Sequence, residues 1–194
     1  MHHAGLRADL VELALTDIPG CFRLRAQRLT DSRGVFLKTF SAAEFSVHGV
    51  DPRFAETYVT VSHKAVLRGL HFQRPPHDHD KLVWCLDGSA LDVVVDLRRG
   101  SPAFGRATAL ELHSSEPDGV FVPRGCAHGF LALEDRTMMA YAVTSAYAPE
   151  HDAGIRWDSV GFDWPIERPI VSPRDESFPA LAELATEFTF GETT

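Results

Sequence analysis

KLVWCLDGSALDVVVDLR, residues 81–98, holds two apolar runs separated by Asp87-Gly88. Runs rich in Val, Leu and Trp read as strands, and Asp-Gly between them is the strongest short-range signal for a β-hairpin. The same pattern recurs on both sides. Upstream, GCFRLRAQRLTD (20–31) reads as a strand, DSRG (31–34) as a turn, VFLKTFS (35–41) as the next strand and AAEF (42–45) as one helical turn. FAETYVTVSHKAVLRGLHFQ (54–73) is long and β-like, and RPPHDHD (74–80) is a loop kept out of any ladder by its prolines and aspartates. Downstream, RATALELHS (106–114), DGVFVP (118–123), HGFLALED (128–135) and TMMAYAVTSAY (137–147) supply four more strands. So many antiparallel strands with little helix predict a mostly β protein, a jelly-roll barrel over about residues 20–150. Residues 1–16 are expected to be an N-terminal extension. The tail from 165 is proline-rich, then offers Asp175 or Ser177 as the cap of a short amphipathic helix through 187.

Composition narrows the function. A chain of 194 residues suits one domain with a sizeable core. No apolar run reaches the roughly 20 residues that span a bilayer, and MHHAGLRADLVELAL lacks the parts of a signal peptide, so a cytoplasmic setting away from membranes is expected. Cys21, Cys85 and Cys126 are an odd, irregularly spaced set, which argues for reduced, buried thiols and against a disulfide framework or zinc ribbon. A formal charge of −8 speaks against nucleic-acid binding, which needs a basic footprint.

Two clusters carry chemistry: RGLHFQRPPHDHDKLV at 68–83 and PRGCAHGF at 123–130. The second matches the cupin pattern Pro-x-Gly-x-x-His, which delivers His128 into a barrel interior. The first holds His77-x-His79, where a metal-binding cupin carries two ligands, but the glutamate that follows in such proteins is replaced by Val83 or Trp84. Three imidazoles without a carboxylate are a partial ligand set, so no metal and no other cofactor is expected. A metal-dependent oxygenase or isomerase using His77, His79 and His128 stays an alternative, as does a non-catalytic sugar-binding cupin.

SHKAVLRGLHFQRPP (62–76), KLVWCLDGSALDVVVDLRRGSPAFG (81–105), FVPRGCAHGF (121–130) and YAVTSAYAPEHDAGIRWD (141–158), in this order and spacing, resemble the dTDP-4-dehydrorhamnose 3,5-epimerase family over about residues 17–180. The resemblance implies a homodimeric, cofactor-free cupin enzyme acting on a nucleotide-linked sugar, most naturally dTDP-linked. It makes His71, in Arg-Gly-Leu-His, the base, and Asp175, in Ser-Pro-Arg-Asp, its orienting carboxylate. Lys81 and Tyr141 fall on further catalytic positions. Arg33 (in Asp-Ser-Arg-Gly), Phe36, Arg68, Gln73, His128 and Tyr147 fall on substrate-binding ones, with Tyr147 where the family stacks its nucleotide base.

These residue types suit proton transfer beside a ketone. A 4-keto sugar has acidic C–H bonds at C3 and C5; a carboxylate on one nitrogen of an imidazole fixes its tautomer and supports the imidazolium that forms. The enolate oxygen needs a preplaced cation, for which Lys81 is suited, and a phenol such as Tyr141 stays protonated near neutral pH yet can protonate a carbanion. Departures from the family pattern fall at Lys38 (usually Glu), at Glu56, Tyr58 and Thr60 (usually Gln-x-Asn-x-Ser) and at Asp78-His79 (usually Ala-Gln). They bear on which sugar or nucleotide is taken, including a 3-epimerase on another nucleotide sugar, rather than on the base and acid.

Overall fold

The computed structural model describes residues 10–50 and 52–191, so the first nine residues of the expected extension lie outside the described residues. The molecule is built from two antiparallel sheets. One has the order β1 (Val11–Leu15), β2 (Phe22–Ala26), β10 (Asp118–Val122), β7 (Lys81–Asp87), β12 (Thr137–Val143), β5 (Glu56–Ser62). The other has the order β13 (Asp152–Gly154), β6 (Leu67–Gln73), β11 (Cys126–Ala132), β8 (Ser89–Asp96), β9 (Ala107–His113). A separate hairpin, β3 (Arg28–Asp31) with β4 (Gly34–Leu37), pairs only with itself. The helices α1 (Ala42–Ser46) and α2 (Pro173–Glu176) are short. This is the expected jelly roll, with its two sheets face to face rather than hydrogen-bonded into a closed ring.

Alternation along each strand decides what faces where. On β7, Val83 and Cys85 point between the sheets, where they meet Val94 of β8, Val120 of β10, Phe130 of β11 and Met139 of β12. Their neighbours Leu82 and Trp84 point outward and pack with Leu24, Phe121 and Phe45 of α1. On the other sheet, Leu70, Phe72, Val93 and Val95 point outward and are covered by Ile155, Val160 and Phe188 from the chain beyond β12. The central strands β7 and β8 therefore bury both faces. That is why residues 81–98 read as nearly unbroken apolar runs instead of alternating ones.

The Asp87-Gly88 turn forms, but it does not make the expected hairpin. β7 and β8 lie in different sheets, so the turn is a corner that carries the chain across the core. A two-residue type I′ hairpin needs positive φ at both central residues, and only Gly88 has it, at 72°. Ser32-Arg33 does close a true hairpin, with Asp31 opposite Gly34. The long β-like stretch at 54–73 divides into β5 and β6 at a turn in which Ala65 adopts φ 67°. The tail also differs from expectation. In place of one amphipathic helix through 187 there is α2 and a single 3-10 turn, Leu181–Glu183. Pro179 stands between them; it lacks an amide donor and keeps Phe178 out of helical geometry.

The pairing of β6 with β11 brings two histidines together. His128 stands directly opposite His71, and the register shifts between His128 and Phe130. A Cβ on Gly129 would lie 2.5 Å from the Arg68 carbonyl oxygen and 2.9 Å from Gly69 Cα, so only glycine permits this approach. Gly129→Ala is therefore expected to lower stability by at least about 1–3 kcal/mol, the usual cost of overpacking a tight site. An unchanged midpoint in urea unfolding would refute this.

Candidate active site

The inward positions of five strands converge on one cavity of about 690 Å³. His71 and Gln73 come from β6, His128 from β11, Lys81 from β7, Tyr141 from β12, and Glu56, Tyr58 and Thr60 from β5. Arg68, Tyr147 and, from the tail, Arg174 and Asp175 complete it. His71, Gln73, His128, Lys81, Tyr141 and the three β5 residues face inward by the same alternation that packs the core, so the cavity is the polar end of the space between the sheets.

The tail supplies what the strands cannot. Ser172 caps α2, its hydroxyl accepting the Asp175 amide at 3.1 Å, which turns the Asp175 side chain toward β6. Asp175 thus sits within the helical turn rather than capping it. Its Oδ2 accepts the Gly69 N–H at 3.1 Å, and its Oδ1 accepts Arg174 Nε at 3.2 Å and lies 2.9 Å from His71 Nε2. The His71 contact is close but falls short of an aligned hydrogen bond, as catalytic contacts often do before substrate tightens them. Phe178 meets the His71 ring edge-on at 5.7 Å, in space that a side chain on Gly154 would fill. With Nε2 facing the carboxylate, Nδ1 is the ring nitrogen left for chemistry.

Burial sets the protonation states. It lowers the His71 pKa below the usual 6.5, with Lys81 and Arg174 adding to the effect and Asp175 opposing it, so the imidazole rests neutral near neutral pH. Burial alone would raise Asp175, but the contacts with His71, the Gly69 amide and Arg174 outweigh it and hold the carboxyl at about 2. Burial brings Lys81 down to about 8, still largely cationic near neutral pH, and its Nζ donates to the His71 carbonyl at 3.0 Å. Burial, with Asp92 and Tyr58, pushes the Tyr141 phenol well above 10, so it stays protonated.

Several assigned residues sit differently from expectation. Gln73 lines the cavity, but its Nε2 donates to the His77 carbonyl at 2.9 Å and its Oε1 accepts the Ala148 amide at 2.7 Å, so it ties two loops together. Arg33 and Phe36 are not at this chain's cavity. They lie on the β3–β4 hairpin, where Arg33 pairs with Asp31 and Phe36 is 57% exposed, because that hairpin joins neither sheet. Lys38, just beyond β4, is likewise absent from the cavity lining. Tyr147 is half-exposed at the rim, its amide donating to Glu56 Oε1 at 3.1 Å. The histidines of the metal alternative are separately engaged: His77 packs on the His151 ring, His79 Nδ1 lies 3.1 Å from Gln73, and His128 Nε2 lies 2.8 Å from Asp92. Among the described residues, no group of three His, Cys, Asp or Glu side chains is placed to hold a metal.

Sequence reasoning missed Asp92, Arg174, Asp152 and Phe178. Asp92 carried a signal, a carboxylate in the middle of the apolar strand SALDVVVD on the inward parity, where it is 1% exposed. Arg174 donates to Asp152 at 2.6 Å as well as to Asp175, but no spacing in the sequence announces a bridge between residues 22 apart.

A family model of dTDP-4-dehydrorhamnose 3,5-epimerase matches residues 15–183. The chain belongs to this family. It is 40% identical over 173 residues to the dTDP-4-dehydrorhamnose 3,5-epimerase of Methanothermobacter thermautotrophicus, covering 87% of this chain and 93% of that one. Among solved structures, a 4-keto-6-deoxy sugar epimerase from the novobiocin biosynthetic gene cluster of Streptomyces spheroides superposes with a TM-score of 0.86 at 32% identity, covering 94% and 93% of the two chains. The Legionella pneumophila dTDP-6-deoxy-D-glucose-3,5-epimerase, solved with dTDP-4-keto-L-rhamnose, gives 0.85 at 32% identity, covering 90% and 94%. The family fixes the class, an isomerase that epimerises sugars, and the cupin-type fold.

The depressed Asp175 carboxyl has a consequence for acid stability. A folded pKa of about 2 against an ordinary 3.8 contributes stability that is fully present above the ordinary value and lost as pH falls through the folded one. The stability margin of wild type over Asp175→Asn is therefore expected to hold at neutral pH and to shrink between about pH 4 and pH 2. Urea unfolding at a series of pH values measures it, and a margin independent of pH would contradict the assignment.

Proposed function

We propose that this protein inverts C3, C5 or both in a dTDP-linked 4-keto-6-deoxy sugar. The observation that carries the reading is that His71 and Tyr141 reach one cavity from opposite sheets, β6 and β12. His71 Nδ1 takes the proton next to the ketone; the C–H electron pair forms the C=C bond, and the ketone oxygen becomes an enolate. Lys81 stabilises that oxygen, and Asp175 stabilises the imidazolium. The Tyr141 O–H protonates the carbon on the other face with the C=C electron pair as the ketone re-forms; the imidazolium then gives its proton to solvent and the phenolate takes one from it. Arg68, with Nε held by Ser62 at 3.0 Å, and Arg174 suit the diphosphate, and Tyr147 at the rim suits the base. The sequence of proton transfers requires no metal.

Arg33 and Phe36 fit this reading if they serve a second copy. Their hairpin exposes Leu29, Val35 and Phe36, and the edge strand β5 exposes Val59 and Val61, apolar surface that a homodimer would cover. Phe36→Asp is expected to yield monomers with weakened dTDP affinity, read by analytical ultracentrifugation and calorimetry. An intact dimer binding dTDP normally would exclude this arrangement. The cysteines, buried and unpaired, suit a reducing compartment such as the cytoplasm.

The central test is deuterium uptake. With dTDP-4-keto-6-deoxyglucose in heavy water, wild type is expected to place deuterium beside the ketone, and His71→Ala to lose at least about 10²-fold in that rate, the scale of general-base catalysis. Residual exchange within tenfold of wild type would remove His71 from the role. The pH profile of kcat/KM should be a bell, with an acid limb below 6.5 where His71 gains its proton and an alkaline limb near 8 where Lys81 loses its own. Lys81→Arg, which stays charged, should abolish the alkaline limb.

A further inference from the structure

Tyr58 stands directly across from Tyr141 in the β5–β12 ladder, and the two rings lie parallel, 4.7 Å apart between centroids at an interplanar angle of 13°. His128 meets the Tyr141 ring from another side, edge-on at 6.2 Å and 69°. The Tyr141 ring is thus clamped between a parallel face and a perpendicular edge. Both tyrosines line the cavity, yet their exposures differ: Tyr141 is 8% exposed and Tyr58 44%.

We infer that Tyr58 is a positioning residue for the proton donor, its stacked ring holding the Tyr141 phenol aimed at the carbon to be reprotonated. The inference rests on Tyr141 being that donor. The phenol oxygen lies at the far end of the ring, so a small swing about the Cα–Cβ bond displaces it more than any other ring atom. Offset-stacked aromatic pairs are favoured by the charge distribution of their rings, and a parallel neighbour on the adjacent strand limits that swing. Tyr58 lies on the sheet opposite His71, so its loss should leave proton abstraction untouched and act on reprotonation alone. Burial, with Glu56 and Asp152, brings the Tyr58 phenol up to about 12, so both rings of the stack remain neutral through the working range.

The experiment compares two rates in heavy water with dTDP-4-keto-6-deoxyglucose: solvent exchange next to the ketone, and formation of inverted product. For Tyr58→Ala the exchange rate should stay within about threefold of wild type while inverted product falls about tenfold, inside the roughly 10²-fold that an ångström of misplacement can cost. Tyr58→Leu, which fills the space without an aromatic face, should behave as Tyr58→Ala does. Tyr58→Phe, which keeps the ring, should restore the wild-type ratio. In a Tyr141→Phe background, Tyr58→Ala should add no further loss, because a residue acting through another is not additive with it. An unchanged ratio in both Tyr58→Ala and Tyr58→Leu would overturn the inference, as would a parallel fall of both rates or full additivity with Tyr141→Phe. If Tyr141→Phe alone leaves the ratio at wild type, the donor assignment fails first. If Tyr141→Phe suppresses inversion while the Tyr58 variants do not, only the inference about Tyr58 fails.

Discussion

Strand alternation is the constraint on which everything else rests. His71 lies between Leu70 and Phe72, both buried in the outer cluster against the chain that follows β12. A slip of β6 by one residue would drive those apolar side chains into the cavity and turn the imidazole into an apolar layer. The same holds for Lys81 beside Leu82, for His128 beside Ala127, and for Tyr141 in its strand. The outward hydrophobic clusters thus hold the register that makes the inward face a site. Packing free energy on one side of each sheet fixes polar geometry on the other.

Within that frame, burial does most of the electrostatic tuning. It keeps the imidazole neutral, brings the lysine toward neutrality while leaving it charged at working pH, and keeps the phenol protonated. Asp175 is the exception. There a backbone amide, a guanidinium and the imidazole overcome the cost of burying a carboxylate, so the negative charge beside His71 is secured by three separate partners. Such different environments for His71 and Tyr141 suit the proposed reaction, which removes a proton on one face and returns one on the other.

Much of this was legible in the residues. The apolar runs and turn residues located nearly every strand, and His71, Lys81, His128, Tyr141 and Asp175 meet at one cavity. What failed was mostly long-range. Asp87-Gly88 carries a local hairpin signal, but whether two strands pair or part depends on which partners, β10 and β12 for one and β11 and β9 for the other, compete for their edges. The tail looked helical by pattern because Leu181 and Leu184 are spaced as on a helix. In the folded chain they pack with Phe188 onto the outer face of β6, and Pro179 settles the local conformation. Arg33 and Phe36 read as site residues from their frame, yet a frame cannot say which side of an interface a hairpin serves.

The tail that carries Asp175 also sets an order of events. The ribosome delivers the chain from its N-terminus, so every strand of both sheets is available before residues 172–178 emerge. A nascent jelly roll therefore possesses its lysine, its phenol and its imidazole while the carboxylate is still missing. The cavity wall and its buried carboxylate are thus completed together, by a segment that reaches Gly69 only after every strand has been made.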